Sequence, residues 1–157
     1  MSALVETLFD ALEVRTKLEA LNLHLNTPEP VIICRVCKYA LQPTRRRMLQ
    51  HLWEIHEIPL ESRQDLNSVI KRLALPDVNT VEARDDACAP HPHLITSSCV
   101  QCKHRTYRST SPDLIRRHLS AEHKLKGRDL ARARDHFDEH LSSQAWAQNG
   151  KRDFWIV

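Results

Sequence analysis

Eight residues of this 157-residue chain have the types and spacing to hold two metal ions. Cys34 and Cys37 precede His51 and His56, and Cys99 and Cys102 precede His118 and His123, each set reading Cys-x2-Cys…His-x4-His. Two thiolates on a tight turn and two imidazoles from one helix meet the needs of a tetrahedral zinc ion. Five residues advance a helix by about 500°, so its last turn must loosen or tighten to bring both rings to one point. The cysteines of the two sets are 65 residues apart and the histidines 67, an internal repeat rather than a chance spacing. Two bound zinc ions are therefore expected, each with four protein donors and no open position for an activated water.

Other candidates for chemistry are weaker. Cys88, His91 and His93 have no fourth donor nearby, so Cys88 reads as a loop thiol. His136 and His140 are spaced i, i+4, but Phe137 stands where a zinc protease motif has Glu. Two glycines exclude a glycine-rich phosphate loop, and no nucleophile elbow is present. The expectation is a non-catalytic protein without a small-molecule substrate.

Basic residues cluster on the metal modules. Residues 34–56 hold five Lys and Arg against one Glu, and 99–123 hold five against two acids. Arg45, Arg46, Arg47 and Gln50 in the first module and Arg116 and Arg117 in the second are the candidate nucleic-acid contacts, with DNA favoured over RNA. Counted as in a ββα finger, the base-reading places are Thr44, Arg47 and Gln50, then Ser111, Leu114 and Arg117. Leu114 is a poor reader, and 42 residues between His56 and Cys99 are too many for a tandem groove-following array. The alternative is a zinc-stabilised protein-interaction module using Trp146, Phe154 and Trp155.

These sites need elements to position them. Leu4, Leu8, Leu12, Leu18 and Leu21 suggest an N-terminal helix ending near Asn26; Val31-Ile32-Ile33 suggests a strand entering the first cysteine pair. Thr44 and Ser111-Pro112 are start signals for the two histidine-bearing helices. Leu66, Val69, Ile70 and Leu73 mark a bridging helix stopped by Pro76; Leu130, Ala133, Phe137 and Leu141 mark a last helical face. The predicted fold is small, mainly α and zinc-stabilised, with two ββα-like modules and bridging and flanking helices. Its segments are 1–30 (helical), 31–58 (first module), 59–94 (bridging helix and connector), 95–126 (second module) and 127–157 (helix and tail). No apolar run is long enough for a membrane span, and the paired cysteines suit a reducing compartment.

The string Cys34-x2-Cys37-Lys38-Tyr39-Ala40-Leu41-Gln42-Pro43, followed by His51-Leu52-x3-His56, resembles the fungal OrsD-like family. That family has a second cysteine–histidine set and a leucine-rich middle helix, matched here by Leu66 to Leu75. Ser97-Ser98 stands where the family has a Gly before its second cysteine pair. Related domains occur beside helicase-like or recombinase-like regions, so the resemblance implies an intracellular, nuclear, DNA-associated role.

Overall fold

The computed structural model describes residues 3–148 and 153–157, with side chains from residue 11 onward. The chain divides into two compact units: Met1–Glu82 with Trp146–Arg152, and Ala83–Ala145 with Asp153–Val157.

In the first unit, α1 (Ala3–Ala20) leads to β1 (Leu23–Leu25), and β2 (Ile32–Cys34) and β3 (Tyr39–Leu41) form a hairpin ahead of α2 (Arg45–Glu54) and α3 (Leu66–Leu73). The strands make an antiparallel sheet in the order β1-β2-β3. Its central strand, Ile32-Ile33-Cys34, is wholly buried, which suits a β-branched run covered on both faces. Helices of ten and eight residues are too short to persist alone. Packing holds them: Leu18 from α1, Leu23, Ile32, Met48 and Leu52 from α2, and Val69 from α3 share one core.

The N-terminal stripe differs from expectation. Leu18 and Leu21 face the core as expected, but Val14 joins them there in place of Leu12, which is 62% exposed. Leu4 and Leu8 lie outside the residues whose side chains are described. Asn22, at φ 55°, turns the chain into β1, so the helix ends before the predicted boundary.

The second unit contains β4 (Ser97–Cys102), β5 (Arg108–Ser109), α4 (Pro112–His123), α5 (Gly127–Ala131), β6 (Phe137–Gln144) and β7 (Trp155–Ile156). Its sheet has the order β5-β4-β6-β7 with antiparallel pairing. Val100, Cys102, Ile115, Leu119, Ala133 and Phe137 form its core. Arg108 donates to Gln101, to the Asp86 carboxylate and to the Phe154 carbonyl, while Asp86 accepts the Ile156 N–H. The hydrogen bonds from Arg108 hold the Asp86 carboxyl below the usual carboxylate range.

A mainly α fold is thus not what forms: the described residues build two antiparallel sheets alongside five α-helices. The last helix predicted across Leu130 to Leu141 breaks at Ala131, and Phe137 onward is strand. The free edge of β4 explains the difference, because pairing there satisfies the β6 backbone and sets Phe137 opposite Cys102, inside the core. His140, at φ 62°, accompanies the register shift that fits β6 to β4. Trp146 and Trp155 are 3% and 0% exposed, so both are core residues and not surface anchors. No helix among the described residues is long and apolar enough to cross a membrane.

Placing α1 inside the first unit's core has a measurable consequence. Leu18→Ala is expected to destabilise that unit by about 2–5 kcal/mol, as truncation of a buried leucine does. Leu12→Ala should stay within about 0.5 kcal/mol of wild type, as exposed sites do. Chemical denaturation of the metal-loaded protein, followed by circular dichroism, measures both.

Candidate metal centres

In the first unit the β2–β3 turn and the end of α2 face each other across the donor atoms. Cys34 ends β2, and Lys38, at φ 59°, closes the turn with its N–H on the Cys34 carbonyl at 2.7 Å. The Cys37 N–H points at Cys34 Sγ, 3.4 Å away, as amides do around a metal-bound thiolate. Thr44 caps α2 by accepting the Arg47 N–H. That fixes the start of the helix carrying His51 in its last turn.

The awkward His-x4-His spacing is solved by ending the helix between the two rings. α2 stops at Glu54, and Glu57 takes φ 52° while the Ile58 N–H reaches back to the Leu52 carbonyl at 3.0 Å. The left-handed Glu57 turns the chain away directly after His56, whose ring stays beside that of His51 at the loosened helix end.

The donor atoms of Cys34, Cys37, His51 and His56 all lie within 4.8 Å of one another. His56 Nε2 is 3.3 Å from Cys34 Sγ, 3.4 Å from Cys37 Sγ and 3.2 Å from His51 Nε2. One ring nitrogen has one proton or one lone pair, so three such neighbours are not a hydrogen-bond pattern. They resemble the edges of a tetrahedron, which for zinc–nitrogen and zinc–sulfur bonds run to about 3.3–3.8 Å. The Tyr39 hydroxyl lies 3.2 Å from His51 Nδ1, the partner that leaves Nε2 free to ligate. Burial, with Cys34 adding to it, pushes the Cys37 thiol up to about 11, while burial pushes His51 down. Without metal, Cys37 is therefore a neutral thiol at pH 7, and metal capture must expel its proton.

The second unit brings together Cys102, His118 and His123, with donor atoms again within 4.8 Å. Cys102 Sγ is 3.4 Å from His123 Nε2. His118 lies flat on Tyr107, centroids 4.2 Å apart, and its Nε2 is buried with no hydrogen-bond partner. An orphaned buried imidazole nitrogen is suited to ligating a cation. Lys124, at φ 57°, directly follows His123 as Glu57 follows His56, and the Leu125 N–H reaches the Leu119 carbonyl. Cys99, the remaining sequence-predicted donor, is buried in β4 opposite Leu141 and does not join this group.

A family model described as OrsD, Orsellinic acid/F9775 biosynthesis cluster protein D, matches residues 21–124, about two thirds of the chain. The chain belongs to the OrsD family. The match spans both metal clusters of this OrsD-family chain, from just before β1 to just after His123. No curated protein and no solved structure matches it significantly.

The other sequence candidates are placed as follows. Arg45, Arg46, Arg47 and Gln50 are exposed on α2, and Arg116 and Arg117 are exposed on α4. Cys88, His91 and His93 form no metal-binding group among the described residues. The residues that sequence reasoning missed are Tyr39 and Tyr107, each against the first histidine of its set. Their shared place five residues beyond a cysteine that ends a strand was the available signal.

Two variants test the first cluster. His56→Ala removes the atom on which the other three converge and is expected to abolish metal binding there. Tyr39→Phe keeps all four donors but loses the hydroxyl on His51, and should weaken affinity by about 10–100-fold. Chelator-competition titration distinguishes the two outcomes.

Proposed function

We propose that this OrsD-family chain is a non-catalytic, zinc-stabilised module that binds nucleic acid, DNA foremost, by contacting phosphates from the helices that carry its histidines. Zinc is favoured over other metals by the donor set, since thiolate–imidazole sites of tetrahedral outline suit it best.

One observation supports the phosphate reading above others. Arg45, Arg46 and Arg47 fill the first turn of α2, which contains no acidic residue. Cations there oppose the partial positive charge of a helix N-terminus, a local cost that an anionic partner reverses. Among the described residues no carboxylate pairs with any of the three.

Base reading has less support. The Thr44 hydroxyl is spent on the helix cap, and the Gln50 amide donates to the Glu54 carboxylate at 2.9 and 3.1 Å. Of the three reading positions on α2 only Arg47 keeps its side chain available, and on α4 Leu114 offers no hydrogen bond. Contacts that position the protein on the backbone, with little sequence preference, are the reading these side chains favour.

Protein interaction is the second reading. With Trp146 and Trp155 buried, it rests on Trp53 and Ile55 of the first unit, 55% and 58% exposed. On either reading the partner would be an intracellular macromolecule, with the nucleus the expected compartment for DNA.

Replacing Arg45, Arg46 and Arg47 together by Ala should leave metal content and circular dichroism unchanged. Affinity for duplex DNA should fall, and the slope of log K against log salt should flatten by about 0.9 for each phosphate no longer neutralised. Unaltered DNA binding, or a salt-independent association, would remove the arginines from the interface.

A further inference from the structure

The two clusters look like copies when their cysteine pairs are superposed, but the hairpins match in a different frame. In the first hairpin Cys34 is opposite Tyr39. In the second, Val100 is opposite Ser109 and Gln101 opposite Arg108, and the Cys102 N–H bonds the Tyr107 carbonyl at 2.9 Å. Cys102 therefore occupies the place of Cys34, four residues separating each from its tyrosine. The tyrosines confirm the frame, since Tyr39 meets His51 and Tyr107 meets His118.

In that frame the residue three beyond Cys102, matching Cys37, is Arg105. Its guanidinium is engaged with Glu122 at 3.0 Å, and a guanidinium is no ligand. Cys99 does not substitute. It lies three residues before Cys102 in a continuous strand, and side chains three apart in a strand point to opposite faces. The register shift does not rescue it, because the extra residue is in β6: two steps from Cys99 to Gln101 match three from Leu141 to Asp138. Cys102 packs in the core with Ile115 and Leu119, and Cys99 is not in that cluster.

We propose that the second centre holds its metal through three protein donors, Cys102, His118 and His123, and keeps its fourth position for an exchangeable small Lewis base such as water, azide or imidazole. This rests on the metal-binding reading of both clusters and departs from the four-donor pattern of the sequence. The ligand environment supports it: the His104 N–H donates to Cys102 Sγ at 3.4 Å, and His118 Nε2 is buried without a hydrogen-bond partner. Among the described residues no fourth donor joins the three: His104, whose ring lies 5.1 Å from that of His123, is exposed and has its Nε2 3.0 Å from His136 Nδ1. Three protein donors with one open position is the ligand count of exchange-competent zinc sites, and four that of closed structural ones.

The test combines metal counting with cobalt spectroscopy on the full chain. Wild type is expected to bind two metal ions, Cys99→Ala still two, and Cys102→Ala or His118→Ala one. In the wild-type protein loaded with cobalt(II), azide or imidazole should shift the visible ligand-field bands of one of the two ions, with no substitution that could disturb folding. Loss of one metal in a folded Cys99→Ala variant, or cobalt bands that neither azide nor imidazole moves, would overturn the proposal. The second result would also follow if His104 closed the site. Absence of metal from the wild-type chain would instead bring down the metal reading itself, a separate outcome.

Discussion

Everything in the first unit depends on four donor atoms converging where a hairpin turn meets a helix end. The strands are three residues long and the helix ten, so neither would persist in water without being tied to the other. A structural zinc contributes on the order of 10 kcal/mol or more, comparable to the whole net stability of a small domain. The apolar core adds a second tie, since Met48 and Leu52, one turn apart on α2, pack in the same core as the sheet whose central strand ends at Cys34. Core and ligands thus constrain one helix orientation from the same face.

The second unit repeats the scheme with a different balance. Both units have a hairpin, a helix and a left-handed residue directly after the second histidine. Both also add a strand on the outer edge of the hairpin's first strand, β1 in one and β6 in the other. The second unit's four-stranded sheet, closed by Trp155 and the Arg108–Asp86 interaction, supplies more of its own framework. On the proposed three-donor reading, less of the fold would hang on the metal, so that a site freed from a purely structural duty would be able to keep a position for exchange.

Charge is distributed with the same economy. Arginines that would destabilise the start of α2 in isolation are carried by a helix whose position is already fixed by the packing of Met48 and Leu52. The local cost is small beside the stabilisation of the unit, so the basic turn persists and would remain available to the anionic partner proposed above.

The spacing of cysteines and histidines, the β-branched run at Val31 to Ile33, the cap at Thr44 and a helix starting at Leu66 were legible in the sequence, because each is a local pattern with a local cause; that this helix packs into the first unit's core and does not bridge two modules was not. The first ligand set was legible for the same reason, as its turn and helix are adjacent along the chain. Tertiary structure decided what depended on distant pairing. Whether residues 137–144 form helix or strand turned on the free edge of β4, and the fate of Trp155 turned on β6 being there to receive it. The second ligand set was ambiguous for that reason: Cys99 and Cys102 have the spacing of a knuckle, but extending β4 to pair with β6 sets them on opposite faces of a strand. Local spacing names the possible ligands, while backbone pairing over long separations chooses which of them can meet.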